Sequence, residues 1–352
     1  MPAENTRDVD SDIVPLPTLV QRRKLKVRQV QELKCIGVSW LPDSKHIVAI
    51  DQTGAAVLWD TVNSNAKQFL IRPHAISIAV SPTSDVDHTM AAIGGMDNTI
   101  TVCNLSTGLD QGEVTTRLPA MGDTHDGLIS ALRYIDENTL ASVGGDGDLR
   151  VWDCQSAEST SVFKGHKRDA TCISISGKGA SAKLASGSMD GTVRVWDQRA
   201  GVASHVFECA NPSSHGMIQE KDVASLPEVG AVSFFPSGDI IACGASDGSV
   251  RTFDLRSSKL VETLHAPSKA AARCSGIAWS NSGRALYTAN VDGTLGIWEA
   301  FGKNAGYVHS VKMDSVGKQP MSGLAMSPDG SSIAVPCHDQ SVRVFTPKVV
   351  KA

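Results

Sequence analysis

An all-β fold made of seven repeated sheets is predicted by three observations. The first is one well-formed stretch, Gly165 to Gln198, in which three short β-type runs (ATCISIS, KLASGS and TVRVWD) are separated by turns at Gly177–Gly179 and Met189-Asp190-Gly191. The second is recurrence. The end of the third run falls at Trp59, Cys103, Trp152, Trp196, Phe253, Trp298 and Phe345, at intervals of 44 to 57 residues. The third is a turn residue that keeps step with these closures: Asp97, Asp146, Asp190, Asp247, Asp292 and Asp339 each lie six residues before one. Asp-Gly, the strongest short hairpin signal, recurs at 146, 190, 247 and 292. One such unit cannot bury both of its faces, so the units must stack on one another. Seven units at this period make a single closed β-propeller, although 352 residues are enough for two ordinary domains.

The elements follow in order. Residues 1–25 are polar, contain Pro15 and Pro17, and read as a short, mostly irregular flexible arm. The propeller is assigned to 26–346. About Lys26–Glu32 is taken as the closing strand of the last blade, because Leu25, Val27, Val30 and Leu33 can line one side of it. Blade one runs from Cys35 to about Ile71, blade two to Leu118, blade three to Lys164 and blade four to about Phe207. Residues 208–228 are rich in turn formers, lack a period, and read as an inserted surface loop. Blade five is Val229–Leu264, blade six Cys274–Val311, and blade seven starts at Met321; residues 347–352 form a short tail.

Composition narrows the function. A net charge of −4 argues against bulk attraction to nucleic acid. The eight cysteines show no paired metal or disulfide spacing, so they read as small buried hydrophobes of a reducing, cytoplasmic compartment. No apolar run reaches spanning length and no signal-peptide pattern opens the chain. The basic stretch Arg22–Arg28 can lie near anionic lipid, but a solvated linker explains it as well, so membrane association is at most peripheral.

Three motifs bear on chemistry. Gly244-Ala-Ser-Asp-Gly248 fits the nucleophile-elbow pattern, but both its flanks are strands of one hairpin. Gly177-Lys-Gly-Ala-Ser-Ala182 looks like a dinucleotide fingerprint without the helix that would receive a pyrophosphate. The sets His125, Ser142, Asp146, Trp152 and His166, Ser186, Asp190, Trp196 hold the three residue types of a hydrolytic triad. Their repeat spacing points instead to a buried chain, Asp to His to Ser to indole, in which every polar group has a partner. The expectation is therefore no catalytic residue, no metal, no cofactor and no enzyme, with function residing in surface loops.

The Gly-His to Trp-Asp unit resembles WD repeats, and some stretches resemble one branch of them. Residues 231–264 and 274–300 are similar to blades of the β subunit of heterotrimeric G proteins, through Phe234-Phe235-Pro236, Gly238, Phe253-Asp254-Leu255-Arg256 and Ser282-Gly283-Arg284. Residues 91–108 resemble that family's second blade through Gly94-Gly95, Asp97-Asn98 and the degenerate closure Cys103-Asn104. The likeness runs from about 26 to 346. It implies a non-catalytic signalling subunit that binds Gα, effectors and a Gγ-like subunit, in the cytoplasm or at the inner face of the plasma membrane through those partners. Carried over residue by residue, the Gα-contact positions are Lys34, Asn98 and Asp169, with Met96 and Glu228 close matches and Met189 and His338 at contact positions with different side chains. The family's large aromatic contacts are replaced by Ala75, Leu128 and His338, and residues 1–25 do not offer three heptads for a coiled coil with Gγ. The alternative is a general WD-repeat scaffold, similar to the receptor for activated C kinase, with other protein partners.

Overall fold

The computed structural model describes residues 18–26, 34–63, 65–70, 74–83, 89–105, 114–118, 124–209, 226–266, 272–301, 305–312 and 321–348. Twenty-eight strands form seven four-stranded antiparallel sheets. After β1 (Thr18–Lys26), blade one is β2 (Cys35–Trp40), β3 (His46–Asp51), β4 (Ala55–Asp60) and β5 (Ala66–Leu70). Blade two is β6 (Ala75–Val80), β7 (Met90–Gly95), β8 (Ile100–Asn104) and β9 (Val114–Leu118). Blade three is β10 (Ile129–Tyr134), β11 (Thr139–Gly144), β12 (Leu149–Asp153) and β13 (Glu158–Phe163). Blade four is β14 (Ala170–Ser176), β15 (Lys183–Ser188), β16 (Thr192–Asp197) and β17 (Val202–Glu208). Blade five is β18 (Val229–Phe234), β19 (Ile240–Ala245), β20 (Ser249–Asp254) and β21 (Lys259–His265), and blade six is β22 (Cys274–Trp279), β23 (Ala285–Asn290), β24 (Thr294–Glu299) and β25 (Gly306–Lys312). Blade seven joins β26 (Ala325–Met326), β27 (Ile333–Cys337) and β28 (Ser341–Lys348) to β1. Among the described residues the only helical element is one 3-10 turn, Gly179–Ser181, which occupies the dinucleotide-like sequence between β14 and β15.

The seven closure residues all sit on the third strand of their blades, and all are buried. Buried apolar side chains of each blade pack against those of the next, so the core is a ring of inter-blade layers. One such layer is Phe207, Phe234, Ile241 and Phe253 between blades four and five. Hydrogen bonds cross the same boundaries near the axis. Ser77 Oγ donates to the Ile129 carbonyl (3.1 Å), Thr171 Oγ1 to Val229 (2.6 Å), and Ser322 Oγ to Cys35 across the point of closure (3.0 Å). Trp40 Nε1 donates to the Ala325 carbonyl at that same seam (3.0 Å).

The closing strand differs from expectation. It is Thr18–Lys26, within the segment read as a flexible arm, and it pairs antiparallel with Ser341–Lys348; residues 27–33, which carry most of the expected strand, lie outside the described residues. The reason is geometric. The chain must pass from the outer edge of blade seven to the inner strand of blade one, at least three strand spacings or about 14 Å. A strand ending at Glu32 would leave three Cα–Cα steps to reach Cys35, about 11 Å at full extension. The ladder is bulged between Gln21 and Arg23. That bulge turns Leu19 towards the layer shared with blade six, and Leu25 towards the layer shared with blade one, and both are buried. Part of the basic run also has a structural use: Lys24 Nζ pairs with Asp339 (2.9 Å), and Arg23 donates to the Val62 carbonyl (2.6 Å).

Candidate functional site

In each blade the first strand runs away from one face of the ring and the turn between the second and third strands returns to it. The register Cys35 to Asp51, Ala75 to Gly95 and Ala170 to Ser188 shows this directly. Seven such turns and seven first-strand starts therefore make up one rigid face. The structure places every sequence-derived contact position on it. Lys34, Asp169 and Glu228 immediately precede β2, β14 and β18; Met96, Asn98, Met189 and His338 lie in the turns of blades two, four and seven.

These positions fall into three groups. Glu228 accepts from Arg168 (3.5 Å) and Arg273 (3.4 Å), so one carboxylate ties blade five to the strand starts of blades four and six. Arg168 also donates to the Met189 carbonyl (2.9 Å), and the amide of Met189 donates to the Asp169 carbonyl (2.9 Å). On the opposite part of the ring, His338 bonds Ser322 Oγ through Nε2 (3.0 Å). Burial and then the neighbouring Lys34 charge hold its imidazole below the usual value. Blade two contributes the third group, with Met96 60% exposed and so the most exposed large apolar side chain on this face. Of the aromatic replacements, Ala75 is buried against blade one and Leu128 is half-buried, its carbonyl accepting the Gly145 amide (2.9 Å). Neither presents an anchor to a partner. Of the inserted loop, residues 210–225 lie outside the described residues.

Sequence reasoning missed two things here. One is the pair of arginines, Arg168 and Arg273, which no blade motif singles out. The other is that Asn98 has a backbone role. The last turn position is left-handed in all seven blades, at Gly54, Asn98, Gly147, Gly191, Gly248, Gly293 and Gln340. Asn is the non-glycine residue best suited to that conformation.

The triad-like sets form the hydrogen-bonded chains inside blades three and four. Trp196 Nε1 donates to Ser186 Oγ (2.9 Å), Ser186 Oγ bonds His166 Nε2 (2.7 Å), and His166 Nδ1 donates to Asp190 (3.1 Å). Blade three repeats this with Trp152 to Ser142 (2.8 Å), Ser142 to His125 (2.7 Å) and His125 to Asp146 (2.9 Å). Both serines are completely buried and engaged on two sides, so no substrate can reach them. Burial alone would push the Asp146 carboxyl up. The hydrogen bond and charge of His125, helped by the amides of Asp126 and Asp148, hold it at about 2 instead. Asp190 is lowered in the same way by His166 and Thr192 against its burial.

In two of the five blades that lack the histidine, an arginine takes its place beside the turn aspartate. Arg251 and Arg343, both essentially buried, reach back four residues to Asp247 and Asp339 (2.9 Å each) in the two blades that close with phenylalanine. In blade six, Thr288 takes the serine's place and accepts from Trp298 (2.8 Å). All eight cysteines are free thiols, and burial pushes those of Cys103 and Cys274 up to about 12. Among the described residues no cluster of His, Cys, Asp and Glu could hold a metal ion, and no helix is long and apolar enough to cross a membrane.

Comparison with known proteins agrees with this architecture. A family model described as "WD domain, G-beta repeat" matches residues 118–153, the blade with the first complete chain. A second, described as "Nucleolar protein 10-like, N-terminal domain", matches residues 164–350, more than half of the chain. The chain is 29% identical over 325 residues to a guanine nucleotide-binding protein subunit beta of Solanum tuberosum. It is 28% identical over 324 residues to those of Nicotiana tabacum and Arabidopsis thaliana. Each alignment covers 89% of this chain and 80% of the relative. The chain is thus a seven-bladed WD-repeat propeller that resembles G protein β subunits over most of its length, and it belongs to the family of nucleolar protein 10-like N-terminal propeller domains.

Proposed function

We propose that this chain is a β-like, non-catalytic signalling subunit that binds a Gα-like protein and effectors on the face described above. The single observation that supports this reading best is convergence. Lys34, Met96, Asn98, Asp169, Met189, Glu228 and His338 come from five blades and more than 300 residues of sequence, yet all belong to one face. The names of the relatives support the class of partner. Contact is expected to be more polar than in a conventional β subunit, because Ala75 and Leu128 stand where aromatic anchors would, and such anchors often contribute about 2 kcal/mol or more each. A Gγ-like subunit, if engaged, would be held by the propeller surface. The proposed setting is the cytoplasm, with access to the inner membrane face only through partners.

The test is a binding titration of a purified Gα subunit against the wild-type chain and a Lys34→Glu/Asp169→Lys variant. A tenfold or greater loss in a variant whose unfolding is unchanged supports the reading; equal affinity means this face is not used. The match to nucleolar protein 10-like propellers supports a second reading, a scaffold for other proteins. In that case wild-type protein ignores Gα, and capture from native lysate yields neither Gα nor Gγ.

A further inference from the structure

On the face opposite the candidate partner contacts, blades four and five leave a groove between them, a cavity of about 410 Å³. Its place follows from chain direction: β16 starts at the turn on the candidate face and ends at Asp197, which lines the groove. The volume falls within the roughly 300–1,000 Å³ of ligand pockets. The floor is apolar, lined by Ala182, Val195 and Leu255, all three buried. His205 lines one wall, its imidazole stacked on Phe207 (5.7 Å) and bonded to Ser204 Oγ through Nδ1 (3.0 Å). Three cations from three elements line the same groove: Lys183 at the start of β15, Arg199 in the turn after β16, and Arg256 in the turn after β20. Blade five holds two of them in place. Lys183 Nζ donates to the Gly238 carbonyl (3.0 Å) and lies 3.8 Å from Asp239, to which Arg256 Nη2 donates (2.6 Å). One carboxylate thus serves two cations, and most of the five N–H donors of Arg256 stay unspent. The Asp197 carboxylate accepts the backbone amide of Arg199 (2.8 Å), while the Arg199 side chain has no partner among the described residues.

We propose that this groove docks a short extended segment of another protein in which a bulky apolar residue lies beside an acidic one. The apolar side chain covers Val195 and Leu255, and the carboxylate takes the unspent fork of Arg199 or Arg256, whose planar donors match it. Charge selects the occupant. Lys183, Arg199 and Arg256 stand against two carboxylates, Asp197 and Asp239, and Asp239 is already shared between Lys183 and Arg256. A basic segment is repelled and a purely apolar one gains nothing from the cations; complementarity of this kind gives specificity more than affinity. The three cations are exposed, so the groove is open along the rim and admits a passing chain. The candidate Gα contacts lie on the other face, so this docking does not depend on the function proposed above.

The test is selection of a phage-displayed random-peptide library on the wild-type chain. The enriched peptides are then titrated by fluorescence against wild-type, Arg199→Glu/Arg256→Glu and Lys34→Glu/Asp169→Lys protein. Peptides that share an apolar residue next to Asp or Glu, lose at least tenfold in affinity for Arg199→Glu/Arg256→Glu and keep it for Lys34→Glu/Asp169→Lys support the site. No enrichment, enrichment without an acidic residue, or equal affinity for the groove variant overturns it. Loss only in Lys34→Glu/Asp169→Lys moves the peptides to the other face and also overturns it. Concentration-dependent dimerisation that the groove variant abolishes gives the groove to a second copy of the chain instead. Should the double variant fail to fold, Arg199→Glu alone, at an exposed side chain, decides by the same criteria.

Discussion

Trp196 shows how much rests on one side chain. Its ring lies 5.8 Å from that of Phe163 and 6.0 Å from that of His166, and its indole N–H satisfies Ser186. Trp196→Ala is expected to cost about 3–5 kcal/mol by cavity formation, with the orphaned hydroxyl adding to the penalty. Equilibrium denaturation checks this; an unchanged midpoint would mean that blade four does not depend on its hydrogen-bonded chain. The turn aspartates give a pH signature. Asp146 and Asp339 are held at about 2 and Asp190 lower still, all below the unfolded carboxyl value of about 4. Their contribution is complete above about pH 4 and is lost as pH falls through the folded values. Asp148, raised by burial and by Asp146, acts in the opposite direction. Urea midpoints are expected to fall slightly from pH 7 to 5, as the unfolded chain protonates His338 before the folded one does, and to drop steeply below pH 4. Asp190→Asn should make that drop shallower, and an identical acid profile would contradict the assignment.

At the scale of elements, the turns and the closing strand carry distinct predictions. Gln340 adopts the left-handed conformation that glycine takes in five other blades. A non-glycine residue there costs about 1–2 kcal/mol, so Gln340→Gly is expected to raise stability by about 1 kcal/mol after the entropy of glycine is offset. A lower midpoint would show that the Gln340 side chain contributes more than its backbone costs. The closing strand joins blade seven to both of its neighbours through Leu19 and Leu25. Leu25→Ala is expected to cost about 2–5 kcal/mol, whereas the same change at exposed Val20 should cost less than about 0.5 kcal/mol. Similar values at the two positions would contradict the bulged register.

For the whole molecule, closure decides behaviour. Each sheet buries its faces only against its neighbours, so removing residues 18–26 opens the ring at the seam where Trp40 and Ser322 bridge blades one and seven. Loss of a single cooperative transition is expected, read by calorimetry. Expressed without partners, the intact chain is expected to be soluble, monomeric and cooperatively unfolding. Recovery only on co-expression with a Gγ would overturn the expectation that the chain folds alone.

The sequence by itself determined the seven-blade period, the buried chains of blades three and four, and the polarity of the turns. All of these are local: Asp-Gly hairpins and alternating apolar residues write them into stretches of about forty residues. The closing strand was misread because 18–26 and 26–32 are both β-prone; only the distance from the rim of blade seven to the axis of blade one excludes the later segment. The replacement of histidine by Arg251 and Arg343 was hidden for a related reason. An arginine two residues before a closure also occurs at Arg150 and Arg194, where the aspartate turn is already occupied by histidine. The bridging of Glu228 by Arg168 and Arg273 depends on three blades meeting around one axis. No linear pattern records such a meeting, because the residues that share it are separated by the full length of a blade.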